Sequence, residues 1–202
     1  MPGRVLLPPT TAATATALFS TTRTVPGIFF KDLPATARYS RTGNAKMIAL
    51  YRGTSLVSKA IQFQTRSPYS HAGYIFPDQT IIEAWHIGGV RRNEHIGSVH
   101  TPGTVIDLFE PSIPMTGYEC AAIEEFLTAQ VGMKYDFRSV VRFMSRVQAS
   151  ANDKWFCSEL VFAAFLYINR VLLKRIDASC VSPALLSLSP CLSFIGSTVT
   201  VE

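Results

Sequence analysis

Three residues of this chain have types and spacing that suit acyl transfer: Cys157, His71 and Glu83. Cys157 follows Asn152-Asp153-Lys154-Trp155-Phe156, and Cys157, Leu160, Val161, Ala164 and Ile168 recur at helical spacing. That places Cys157 in about the first turn of a helix. Backbone N–H groups and the helix dipole there favour negative charge, and a cationic partner can bring such a thiol from about 8.5 down to roughly 3.5–7.5. The same stripe also fits a plain core cysteine. His71 opens a strand after Tyr69-Ser70. The segments His71–Phe76 and Thr80–Trp85 flank Pro77-Asp78-Gln79 and read as a hairpin. With a three-residue turn, Phe76 faces Thr80, Gly73 faces Glu83 and His71 faces Trp85. His71 and Glu83 then lie on one face as diagonal neighbours. A four-residue turn would throw Glu83 to the other face. Taken singly, His71 reads as a surface histidine and Glu83 as a solvated strand residue. Taken together, the three form nucleophile, base and orienting carboxylate.

The elements that must position them follow from the hydrophobic pattern. Met47–Tyr51 reads as a short strand. Ser55 can cap a helix over Leu56–Gln64, with Val57, Ile61 and Gln64 on one stripe, and Ser67-Pro68 ends it. Gly88-Gly89 marks a turn, and Thr104–Phe109 reads as a further strand. A helix follows over Tyr118–Val131, with Gly132 as its stop. Asp136 can cap a helix over Phe137–Val147, and Asn152 or Asp153 can cap the long helix that carries Cys157 to about Leu172. Ser182-Pro183 starts a short helix with proline at its first position. After the opening strand the order is helix, strands, helices. That layout is α+β, an antiparallel sheet with segregated helices.

Composition limits the function classes. The chain has 202 residues, 48% hydrophobic and 16% charged, which is enough for one cored domain with an appendage. No stretch of about 20 apolar residues runs without polar interruption, so no transmembrane segment is expected. Four cysteines are too few for a disulfide scaffold. The net charge of +5 is carried wholly by residues 1–46, where six basic residues meet only Asp32. The remainder is neutral, so the basic balance does not indicate nucleic acid as a partner. Residues 1–46 sustain no hydrophobic period and read as a disordered or low-order basic extension, with a transit peptide as the other reading. They hold no convincing signal peptide, and a cytoplasmic location is favoured. The expected organisation is this extension, a domain over 47–190, and a C-terminal tail over 191–202.

Several strings resemble a known family. Tyr69-Ser70-His71-Ala72-Gly73, Ile82-Glu83-Ala84-Trp85 and Trp155-Phe156-Cys157-Ser158-Glu159-Leu160-Val161 resemble the circularly permuted NlpC-type papain-like cysteine hydrolases, the YiiX-like group. Gly132-Met133-Lys134-Tyr135-Asp136-Phe137 and Val181-Ser182-Pro183-Ala184 are similar to further segments of that family. In ordinary papain-like enzymes the cysteine precedes the histidine; here His71 comes first, as the permuted group requires. The resemblance implies a papain-like fold with Cys157 as nucleophile, His71 as base and Glu83 as the third polar residue. It implies a peptide, amide or acyl-ester substrate, such as a cell-wall peptide or a γ-glutamyl-type link, and no cofactor. A lipid-directed acyltransferase or thioesterase on the same fold, and a non-catalytic binding domain, stay open beside it.

Other residues carry less. Tyr69 and Trp85 flank the three and could line a cleft for substrate, or be aromatic core. His86, His95 and His100, with Glu94, are spread over a glycine-rich loop in no common ligand spacing, so no metal site is expected. Arg91-Arg92 reads as a solvated turn that could receive an anionic substrate. Cys120, Cys180 and Cys191 read as buried or free thiols.

Overall fold

A computed structural model describes residues 47–136 and 154–200. The extension over 1–46, the helix expected after Asp136, and the capping residues Asn152 and Asp153 lie outside the described residues. The chain opens with β1 (Met47–Arg52), α1 (Leu56–Thr65), β2 (His71–Ile75), β3 (Ile81–Trp85), β4 (Gly89–Asn93) and β5 (Val105–Pro111). It continues with α2 (Gly117–Ala129), β6 (Lys134–Tyr135), β7 (Lys154–Trp155), α3 (Cys157–Tyr167), α4 (Pro183–Ser187) and β8 (Leu192–Val199). Six strands form one antiparallel sheet in the order β4-β3-β2-β1-β5-β8, and β6 and β7 pair parallel beside it. This is the α+β layout expected.

Local chemistry fixes the ends of the helices. Ser55 caps α1 by accepting from Ser58 N–H, and Ser182 caps α4 ahead of Pro183. Of the stripe expected on α1, only Ile61 is buried; Val57 stands exposed. Thr116 and Glu119 close a capping box on α2, and Arg170 clamps Glu119 from across the fold. Gly132, at φ +92, turns the chain after α2. The adjoining strand begins against it: Gly132 N–H donates to Val90 O, and Val90 N–H donates to Met133 O.

The sheet has two different faces. Even-numbered residues of β2 and β3, among them Ala72, Tyr74, Ile82 and Ala84, point to the helices and join α3 residues Cys157, Leu160, Val161 and Ala164 in the main core. Odd-numbered residues meet a smaller cluster of Met47, Ala49, Tyr51, Ile75, Ile81, Ile96, Ile106 and Leu108. Both faces of the central strand β1 are therefore covered, and its residues 47–51 are all buried.

Three expectations need correction. Residues 192–199 are not a tail: β8 pairs with β5 along its length, so the domain runs past residue 190. Arg91 and Arg92 are not in a turn, since both belong to edge strand β4. The helix that carries Cys157 starts later and ends sooner than expected. Phe156, in extended backbone, is its cap residue, and Asn169 at φ +59 follows its end. No helix among the described residues is long and apolar enough to cross a membrane.

Candidate active site

The hairpin places the base and its orienter. Tyr74 faces Ile82 and Ile75 faces Ile81, and Phe76 N–H donates to Thr80 O, which is the register of a three-residue turn. His71 and Glu83 consequently share the odd face, and His71 Nε2 lies 2.8 Å from Glu83 Oε2. Between them Gly73 leaves the room. A Cβ there would come within 2.6 Å of Ile81 Cδ1 and 3.4 Å of Glu83 Cβ.

Glu83 is almost fully buried, at 1% exposure, and three donors hold it. Asn93 Nδ2 donates to Oε1 at 2.6 Å, while Oε2 takes His71 and, at 3.3 Å, His100 Nε2. Burial alone would push the carboxyl up, but the hydrogen bonds from His100 and His71 outweigh it and hold Glu83 well below the usual carboxylate range. Burial pushes His71 down, against the pull of Glu83 and helped by the charge of Arg91. The pair is thus a carboxylate and a neutral imidazole. A carboxylate only accepts, so His71 donates through Nε2 and keeps Nδ1 as its acceptor. Trp85 packs edge-on to the His71 ring at 4.9 Å.

Cys157 approaches from the helical side of the sheet. It is the first residue of α3 and is fully buried. N–H groups at the start of α3, those of Cys157 and Ser158, together with Ala72 of β2, favour the thiolate. Burial dominates, however, and the nearby charge of Glu83 adds to it, so the thiol is pushed up to about 12. The lowered value that the helix position suggested is not what this site has. Ala72 follows His71 in β2, so Cys157 reaches the strand one residue from the base. No hydrogen bond joins the Cys157 thiol to the imidazole among the described residues: Cys157 packs with Ala72 on the helical face, whereas the His71 ring lies with Glu83 and Trp85 on the odd face. Ser158 Oγ donates to Val181 O at 2.6 Å and ties the start of α3 to the segment before Ser182-Pro183.

The flanking aromatics separate. Trp85 belongs to the His71 site. Tyr69 instead donates its hydroxyl to Asp107 Oδ2 at 2.6 Å. Asp107 is also held by Arg52 and by Ser197 Oγ, a buried carboxylate network that spans β1, β5 and β8 and that the sequence did not announce.

Sequence reasoning grouped His100 with His86, His95 and Glu94 and did not connect it to Glu83. His100 comes from the long connection between β4 and β5, stacks on Tyr51 at 3.9 Å between ring centroids, and reaches Glu83. His86 and His95 do not join it. His71, Glu83 and His100 offer ligand atoms that all lie within 4.8 Å of one another. Two imidazoles and a carboxylate are a donor set that suits Zn²⁺ or another first-row divalent ion.

Comparison with solved structures gives a likeness of fold. The metalloprotein yiiX from Escherichia coli O157:H7, DUF1105, matches with a TM-score of 0.52 and 19% sequence identity, over 79% of this chain and 97% of that one. The likeness is one of fold, and it fits a YiiX-like group. No family model matches the chain, and no curated protein matches it.

Proposed function

We propose that the protein is a cysteine hydrolase of the permuted papain-like kind, with Cys157 as nucleophile, His71 as base and Glu83 as orienting carboxylate. The observation that carries this reading is the buried His71–Glu83 pair at 2.8 Å, with Cys157, the first residue of α3, meeting the backbone of Ala72, the residue after His71. In the reaction the Cys157 thiol gives its proton to His71 and its sulfur attacks a carbonyl carbon. Backbone N–H groups at the start of α3 face the developing oxyanion. The amine or alcohol leaves with the proton from His71, and a thioester forms on Cys157. Water then attacks the thioester with His71 as base, releasing the acid and restoring the thiol. Glu83 holds the imidazole in one tautomer and stabilises its cation. The substrate class is a peptide or other amide, or an acyl ester.

A panel of peptide, γ-glutamyl and acyl-ester substrates tests the reading. Cys157→Ala should abolish turnover, His71→Ala should be nearly as severe, and Glu83→Gln milder. The double variant of Cys157 and His71 should be hardly worse than either single one, because such groups act as a unit. Additive losses would contradict the shared mechanism.

A second reading has a specific observation behind it: His71, Glu83 and His100 as holders of a divalent ion. Their donor atoms lie close enough together, and Asn93 secures the remaining oxygen of Glu83. The yiiX structure is described as a metalloprotein. When bound, the ion would supply Lewis-acid chemistry at this site. The two readings differ in what they ask of His71 and Glu83. Metal analysis of the purified protein, with hydrolysis measured before and after chelation, separates them. Activity that survives chelation and dies with Cys157 belongs to the first.

A further inference from the structure

We propose that the guanidinium of Arg91 is a receptor for a carboxylate, and that the substrate therefore carries a free carboxylate; the second half of this rests on the hydrolase reading. Arg91 is the cross-strand partner of Glu83, so its side chain leaves the sheet on the face of His71 and Glu83. Its guanidinium lies 5.3 Å from the centroid of the Trp85 ring, and that ring in turn contacts His71. Both Nε and Nη2 of Arg91 are buried with no hydrogen-bond partner among the described residues. A charged donor left this way is costly unless something outside the chain meets it.

The two open atoms form one edge of the guanidinium, whose parallel N–H groups accept a carboxylate two-pronged. This protein fills that edge elsewhere. Arg52 sets Nε and Nη2 on Asp107, and Arg170 sets the same pair on Glu119. Arg92, next along β4, spends them on Thr80, Asp78 and Glu124. The internal candidate for Arg91 is Glu83, directly opposite, but its oxygens accept from Asn93, His71 and His100, and no hydrogen bond joins it to Arg91 among the described residues. The edge is thus left for a ligand, and the Trp85 ring beneath it gives a floor for the ligand's aliphatic part.

Binding and turnover can be read separately on the full chain. In calorimetric titrations, wild type should bind glutarate at least about tenfold more tightly than glutaramide. Arg91→Gln should erase that difference, and Arg91→Lys should keep part of it, because lysine retains the charge without the fork. In hydrolysis, the p-nitrophenyl monoester of glutarate should exceed p-nitrophenyl pentanoate in kcat/KM through a lower KM, and the ratio should collapse toward one in Arg91→Gln. Equal binding of glutarate and glutaramide by wild type would overturn the proposal without recourse to any variant. So would an undiminished glutarate preference in a folded Arg91→Gln. Inorganic phosphate bound in an Arg91-dependent way while glutarate is ignored would overturn it in favour of a phosphate receptor. If neither ester is hydrolysed but glutarate binding depends on Arg91, the receptor stands and the hydrolase reading falls.

Discussion

At rest Cys157 should be slow toward small thiol reagents, and the size of the effect follows from its surroundings. Burial and the charge of Glu83 push the thiol from its ordinary value of 9.0 to about 12. At pH 7.5 that reduces the thiolate fraction by about three orders of magnitude, since each unit is a factor of ten. A more basic thiolate is intrinsically more nucleophilic, with a Brønsted slope of about 0.4–0.5, which returns roughly 15- to 30-fold. The net rate with iodoacetamide should be at least about 30-fold below that of an ordinary thiol, before any loss from restricted access. The exposed Cys180 and Cys191 supply references in the same chain, and peptide-level mass spectrometry reads all three at once. The Cys157 rate should also climb close to tenfold per pH unit from pH 7 to 10. Modification as fast as Cys180 at pH 7.5 would refute the reasoning. So would a rate independent of pH between 6 and 9, because both are marks of a thiolate–imidazolium pair already formed.

The raised thiol also has a stability consequence. Between about pH 9 and 12 the unfolded thiol ionises while the folded one does not, so Cys157 stabilises below that window and the contribution is lost as pH rises through it. Denaturant titrations should show wild type losing stability faster than Cys157→Ala across this range; parallel curves would contradict it. Thr116→Ala removes the acceptor for Glu119 N–H in the capping box of α2 and should cost about 1 kcal/mol, or a Tm drop of roughly 2–4 °C. An unchanged Tm would show that the Glu119–Arg170 clamp holds this end alone. Gly73→Ala should disturb the site out of proportion to its size, since the new methyl group meets Ile81 Cδ1 and Glu83 Cβ. Hydrolysis should fall more than thermal stability does, and equal activity would show that the hairpin yields without moving Glu83.

Much of the site's framework is legible in the residues because it depends on local rules. Side chains alternate along a strand, so a three-residue turn at 77–79 suffices to put His71 and Glu83 on one face. Ser55 and Ser182-Pro183 announce helix starts through groups within three residues of them. What escaped depends on distant partners. Gly89–Asn93 carries two arginines and an asparagine and looks like a turn, yet an edge strand tolerates such residues, and backbone bonds to the chain after α2 hold it in place. Leu192–Val199 follows a proline near the end of the sequence, and only its pairing with β5 makes it a strand. His100 reaches Glu83 from a loop without hydrophobic period, so no spacing could place it. The thiol of Cys157 behaves against its helix position because complete burial, a property of the whole core, outweighs the few N–H groups at the start of α3.

The most direct measurement is mass spectrometry of the protein quenched during turnover of p-nitrophenyl acetate, with the label mapped to a peptide. An acetyl group on Cys157 is expected, absent from Cys157→Ala and strongly slowed in His71→Ala. Wild-type hydrolysis in Cys157→Ala, in a preparation shown free of contaminating enzyme, would contradict the claim and leave Cys157 as a residue of the core.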